Sequence, residues 1–162
     1  MRACTSDDAA FLADLYADRE VARFIGGDRL TAESAARHAQ KFAAVWRSHG
    51  YGQSILVDKS SGEQIGRVGL HPWPEWDELE LGWVLARRSQ GRGLAQEAAQ
   101  AWLAWASDVH PAPYLTAVIH PDNHASIRLA ERLSFTFLRP DVTPWSDAVI
   151  YRHDLSARPG AS

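Results

Sequence analysis

Among 162 residues there is one cysteine, Cys4. That excludes an internal disulfide and a cysteine-built zinc site, and it suits a reducing cytoplasm. No apolar run approaches the roughly 18 residues a membrane-spanning helix needs, and no signal peptide opens the chain. A basic excess is missing too. The formal net charge is −3, whereas nucleic-acid binders normally carry a surplus of Lys and Arg. His, Asp and Glu nowhere fall at metal-site spacing, and neither a G-x-S-x-G elbow nor a catalytic cysteine occurs. Gly91-x-Gly93 lacks the third glycine of the dinucleotide fingerprint, and no G-x-x-x-x-G-K-[ST] loop exists. The expectation is a cytoplasmic protein with no metal, membrane or nucleic-acid partner, as monomer or homodimer. Residues 1–155 would form one domain and 156–162 a disordered tail. An apolar content of 46% and a charged content of 23% suit a globular core.

What the chain does have is a stretch built to meet an anion. Leu79 to Leu85 is aliphatic and aromatic, a strand pattern. A basic, glycine-containing turn follows, Arg87-Arg88-Ser89-Gln90-Gly91-Arg92-Gly93. Leu94 to Ala106 is then strongly helix-forming, with Ala95, Ala99, Trp102 and Ala106 on one face and Gln96, Glu97 and Gln100 on another. Strand, glycine turn and helix aim backbone N–H groups and the positive helix end at one point. Such a place suits a phosphate or pyrophosphate, with Arg87, Arg88 or Arg92 adding charge. An ordinary exposed basic turn is the alternative.

Elsewhere, Thr5 and Ser6 are good caps for a helix from about Ser6 to Ala17. Only Met1 to Cys4 precede it, so a first strand there is very short or absent. Val21 to Ile25 reads as a short helix ended by Gly26-Gly27. Thr31 caps a longer helix to about Ser48, burying Ala35, His38, Ala39, Phe42, Val45 and Trp46, and Gly50 ends it. Tyr51 to Asp58 and Gln64 to His71 form a hairpin around Lys59 to Glu63. His71 to Asp77 is a rigid aromatic connection into a strand from Glu78 to Leu85. Pro111 and Pro113 break the chain before a strand from Tyr114 to His120. Asp122 or Asn123 caps a helix through Leu133. Phe135 to Arg139 and Ala148 to Leu155 make an antiparallel pair. Of the seven tryptophans, Trp73, Trp76 and Trp83 would line an acceptor site or serve as core.

Arg88-Ser89-Gln90-Gly91-Arg92-Gly93 matches [Q/R]-x-x-G-x-[G/A], the acyl-CoA motif of the GNAT superfamily of N-acetyltransferases. Gln90-Gly91-Arg92-Gly93-Leu94-Ala95-x-Glu97-Ala98 resembles the ribosomal-protein N-terminal acetyltransferase (RimJ/RimL-like) branch, where G-[KR]-G-x-A-x-E-A is common. Asn123-His124-Ala125-Ser126-Ile127 resembles that branch's N-x-x-S-I. Asp7-Asp8-Ala9 and Val21-Ala22-Arg23-Phe24 fit its N-terminal region, so the resemblance spans nearly the whole chain. It implies an α/β (α+β) fold of one domain: a mixed, mostly antiparallel twisted sheet with helices on both faces. The parallel fourth and fifth strands would splay to admit a pantetheine arm. It also implies acetyl-CoA as cosubstrate. Acetyl would pass to a primary amine, a protein N-terminus or a small molecule, by direct attack. Carried over residue by residue, the cofactor would be met by Val84 and Leu85, by Arg87, Arg88, Gln90, Gly91, Arg92, Gly93, Leu94 and Ala95, and by Asn123 and Ser126.

The amine must lose a proton, and a free α-amine with a pKa of about 7.7–8.0 needs only modest help. The resemblance points to Glu80 as base or water relay, and strand alternation puts Glu78 on the same face. Both are otherwise plain solvent-facing residues. His71 and His120, at neighbouring strand ends, are further candidates. The tyrosine that protonates the thiolate in many relatives is replaced by Ala130. Ser126 would meet the sulfur and Asn123 the pantetheine arm, although both also suit helix capping. His38, on an apolar helix face, reads as packed. Ser134 stands where the family has glycine, a cost if that position needs φ > 0. The negative net charge leans weakly toward a basic acceptor. A rival expectation is a CoA-binding sensing or assembly module without catalysis, for which the missing tyrosine and the short first strand speak.

Overall fold

The computed structural model describes residues 1–155; the expected tail at 156–162 lies outside the described residues. Seven strands form one sheet: β1 (Arg2–Ala3), β2 (Gln53–Val57), β3 (Gln64–Trp73), β4 (Glu78–Leu85), β5 (Tyr114–Ile119), β6 (Thr136–Val142) and β7 (Asp147–Asp154). Their spatial order is β1-β2-β3-β4-β5-β7-β6. All neighbours are antiparallel except β4 and β5. The helices are α1 (Ala9–Ala17), α2 (Arg19–Ala22), α3 (Ala32–His49), α4 (Leu94–Val109) and α5 (His124–Arg132).

Local chemistry explains most boundaries. Thr31 and Ser34 cap α3 reciprocally: the Thr31 N–H donates to Ser34 Oγ (2.7 Å) and the Ser34 N–H to Thr31 Oγ1 (3.2 Å). Gly50 ends that helix at φ 72°, its N–H on the Trp46 carbonyl. Asp8 anchors the N-terminus. It takes both Arg2 guanidinium nitrogens at 2.9 and 2.6 Å, the Thr5 N–H at 2.8 Å and the Gln64 amide at 2.8 Å. Arg2 and the other donors hold its carboxyl at about 2 despite burial. The first strand therefore exists, as two residues tied to β2.

Three expectations need correction. The short helix sits earlier, at Arg19–Ala22, because the Asp18 side chain accepts from the Glu20 N–H and caps it there. The aromatic connection is shorter than expected: β3 runs on through His71, Pro72 and Trp73, and Pro74 to Asp77 make the turn. Pro72 is tolerated because pairing with β2 stops at Gly69, leaving β4 as β3's one partner. The sixth strand runs on to Val142, beyond the expected end at Arg139, and is an exposed edge, while β7 keeps its expected length one residue earlier.

Alternation divides β4 between two cores. Leu79, Leu81 and Leu85 pack under α4 and α5 with Ala99, Trp102 and Leu103. Val84 packs on the other face with Leu12 and Leu15 of α1 and Ala39 and Phe42 of α3. Between β4 and β5 the ladder holds a single register pair, Glu80 with Thr116, so the strands splay. Beyond the gap, β5 pairs with β7 from Tyr114 to Ile119. The sheet is thus continuous at its edges and open at its middle.

Candidate active site

On the sheet face under α3, register sets the site. Arg67 lies opposite Val84, Gly69 opposite Gly82, His71 opposite Glu80 and Trp73 opposite Glu78. Residues two apart on a strand share a face, so Arg67, His71, Trp73 and Glu80 all look toward α3. There they border a cleft of 430 Å³, which α3 closes with His38, Lys41 and Phe42 and the β6–β7 turn with Trp145. A smaller cavity of 70 Å³ occupies the β4–β5 gap and reaches Trp83, Asn123 and Ser126. The two share Glu80, Gly82, Arg67 and His120.

Glu80 is half-buried, and its Oε2 accepts the Trp73 indole N–H at 2.6 Å. Burial pushes its carboxyl pKa up, opposed by the Trp73 bond and the nearby Arg67 charge. Glu78 is occupied elsewhere: Arg139 of β6 grips it with a guanidinium fork at 2.7 and 3.1 Å. The two carboxylates that alternation could not separate are thus separated by partner. Burial, with Lys41 and Arg67 adding repulsion, drives His71 down to about 4, and burial likewise drives His38 to about 4. Both rings are neutral at neutral pH. His38 does pack, its Nδ1 3.2 Å from the Tyr16 hydroxyl, but it also lines the cleft. His120 receives the Asp122 N–H on Nδ1 at 3.1 Å and lines both cavities.

At the far side of the gap, Asn123 caps α5, its Oδ1 taking the Ser126 N–H at 3.2 Å. The Ser126 hydroxyl separately accepts the Trp83 indole N–H at 3.3 Å. Trp83 also packs against the lower core. Trp73, Trp76 and Trp83 therefore divide: Trp73 faces the cleft, Trp76 stacks on it at 4.6 Å, and Trp83 turns to Ser126.

Past β4 the chain makes a tight turn into α4. Gly91 (φ 73°) and Gly93 (φ 75°, the α4 cap residue) are both left-handed, a conformation that strains other residues. The first turn of α4 is left with free backbone N–H groups, because the earliest intrahelical bond runs from the Glu97 N–H to the Gly93 carbonyl. An open face follows, since a side-chain carbon at either glycine would meet nothing within 4 Å. The arginines are partly engaged by flanking acids: Arg87 with Asp18 (3.2 Å), Arg88 with Glu63 (4.0 Å) and Arg92 with Asp58 (3.6 Å). Gln90 braces the turn, its amide on the Leu85 carbonyl at 3.0 Å. Val84 and Leu85 point into opposite cores, so a ligand would meet backbone rather than side chain there, with the Leu85 carbonyl already held by Gln90. Left-handed glycines, unpaired N–H groups and nearby guanidinium groups fit a pyrophosphate. Among the described residues, no group of His, Cys, Asp and Glu could hold a metal ion, and no helix is long and apolar enough to cross a membrane.

Three residues of the cleft belong to no motif in the sequence: Arg67, Lys41 and Trp145. Arg67 left a signal. A charged residue inside Ile65 to Leu70, four positions before His71 and so on the same strand face, breaks an otherwise apolar run.

Known proteins share the fold that carries this site. A family model described as an acetyltransferase (GNAT) domain matches residues 1–136. The uncharacterized protein YkkB of Bacillus subtilis (strain 168) is 35% identical over 104 residues, 62% of this chain. That match spans 60% of YkkB's own length. A solved acetyltransferase from Agrobacterium tumefaciens str. C58 is 30% identical at a TM-score of 0.80, covering 94% of this chain and 88% of that one. RimL, a ribosomal L7/L12 alpha-N-protein acetyltransferase solved with coenzyme A, is similar in fold. Its TM-score is 0.76 at 19% identity, with 95% and 92% of the two chains covered. The chain belongs to the GNAT family of acetyltransferases.

Proposed function

We propose that the protein transfers an acetyl group from acetyl-CoA to a primary amine by direct attack, with Glu80 as the base. One observation carries this reading: the cleft beneath α3 and the cavity in the β4–β5 gap meet at Glu80. An amine in the cleft and a thioester in the gap would come together beside that carboxylate. Acetyl-CoA, held by the backbone of Gly91 to Ala95 and by Asn123, would supply an acetyl group already activated as a thioester.

Glu80 takes the ammonium proton. Burial raises its pKa toward that of an α-amine, which makes proton transfer better matched than an ordinary carboxylate would. The freed nitrogen then attacks, the new C–N bond forms and the C–S bond breaks. Ser126 faces the departing sulfur. Because the Trp83 N–H already occupies an acceptor position on its oxygen, the hydroxyl's own hydrogen is free to donate into the gap. Asn123 holds the Ser126 backbone, so cap and donor act together. The absent tyrosine at Ala130 therefore does not by itself disable the site. The experiment is calorimetric titration of acetyl-CoA followed by thiol release across a panel of amines. Binding with amine-dependent release is expected. Binding with no release from any amine would favour a sensing module, and no binding would remove both readings.

A further inference from the structure

Cations dominate the cleft. Arg29, Arg37, Lys41 and Arg67 line it against two acids, Glu80 and Asp147. This local excess sits in a chain whose formal net charge is −3, so the average misleads about what the cleft prefers. Two of the four cations are engaged: Arg37 with Glu33 at 2.8 Å, and Arg29 with the Pro144 carbonyl at 2.8 Å. Arg67 makes no ion pair among the described residues. Its one side-chain hydrogen bond there is to the neutral Gln53 amide oxygen at 3.0 Å, and its guanidinium lies 5.3 Å from the Phe42 ring centre. Its Nε is buried without a partner, as is His71 Nδ1 in the same cleft. Among the described residues, Lys41 has only His71 Nε2, at 3.4 Å.

A half-buried guanidinium with no ion pair in contact, and with its Nε unpartnered, is costly unless a ligand completes it. A simple amine enters as a cation and would be repelled by Arg67 and Lys41. A zwitterion would not: its anion can meet the cations while its ammonium turns to Glu80. Gly82 keeps the sheet face between Arg67 and Glu80 clear. A side-chain carbon there would stand 3.1 Å from Glu80 Oε1. Phe24, Phe42, Trp73 and Trp145 supply apolar walls, and 430 Å³ suits a small molecule.

We infer that the acceptor is a free α-amino acid with an aromatic or apolar side chain, its carboxylate seated on Arg67 and Lys41 and its amine at Glu80. This rests on acetyl transfer at Glu80, and it names the acceptor class for that site.

The test compares L-phenylalanine and L-tryptophan with phenethylamine, tryptamine, spermidine and a peptide beginning in phenylalanine. Binding to the CoA-saturated protein is measured by calorimetry and acetylation by thiol release. The amino acids should bind more tightly than their decarboxylated analogues by about 10- to 100-fold, the worth of one charged hydrogen-bonded contact. Arg67→Met should raise KM for L-phenylalanine by a similar factor while KM for acetyl-CoA holds, and Arg67→Lys should recover part of the loss. Preference for phenethylamine, spermidine or the peptide would overturn the inference and leave acetyl transfer standing. So would an Arg67→Met variant in which both KM values rise together, since that indicates a role in cofactor binding or in the fold. Failure of acetyl-CoA itself to bind would instead overturn the transfer reading, and this inference with it.

Discussion

On one side of the β4–β5 gap the chain needs only the run from Arg87 to Ala95 to present backbone N–H groups, with two glycines held left-handed. On the other side, side chains arrive in short separate runs from residue 24 to residue 148, and no single run defines the cleft. The first surface is made of groups every residue possesses, so its specificity lies in conformation. The second is made of particular side chains, so its specificity lies in identity. A fold can keep the first while exchanging the second, so on the proposed reading acceptor choice belongs to the face beneath α3.

Substitutions can test each side separately. Glu80→Gln, at the junction, should lower kcat by about 100- to 10,000-fold, the usual worth of a positioned general base, with acetyl-CoA affinity held. Because Glu80's pKa is raised in the fold, its stabilising contribution is full below the ordinary carboxylate range and is lost as pH rises through the raised value. The same variant should therefore melt higher than the parent at neutral pH. Loss of acetyl-CoA binding along with turnover would mean that the two sides are not separable.

Gly91→Trp acts on the turn alone. It forces a bulky residue to φ near 73° and blocks the open face. Calorimetry should show acetyl-CoA affinity reduced by about 100-fold, close to 3 kcal/mol, with the protein still folded. Ser126→Ala is smaller, because it removes a hydroxyl but leaves the Asn123 cap, which binds the Ser126 backbone. A drop in kcat of about tenfold, equal to one hydrogen bond of roughly 1.4 kcal/mol in the transition state, is expected, with a melting temperature lowered by only a few degrees as the Trp83 N–H loses its acceptor. A fall in stability with full turnover would make Ser126 structural.

What the sequence disclosed follows the same division. The glycine turn, the α3 caps at Thr31 and Gly50, and the α5 cap at Asn123 are local features, visible because each depends on residues within a few positions. Arg67, Lys41 and Trp145 come together only through strand register and helix packing, which no local pattern encodes. Glu78 and Glu80 were indistinguishable by alternation; Arg139, 61 residues away from Glu78 in the chain, tells them apart. Pro72 hid the end of β3, since a proline argues against a strand unless the missing neighbour is known.

The smallest effect concerns neither side. Ser134 does adopt a left-handed conformation, φ 64°, at the end of α5. Ser134→Gly should relieve that strain by about 1 kcal/mol, raising the melting temperature by roughly 2–4 °C without altering turnover. No change in melting would place the cost of that φ elsewhere.

The most direct measurement is the pH dependence of kcat/KM for a good amine acceptor, in the parent and in Glu80→Gln. A base with a raised pKa loses its function as pH falls through that raised value. The parent should therefore show an acid limb above the ordinary carboxylate range, and the variant should lack it. A limb at the ordinary carboxylate position, or one that persists in Glu80→Gln, would contradict the assignment of Glu80 as the base at the junction.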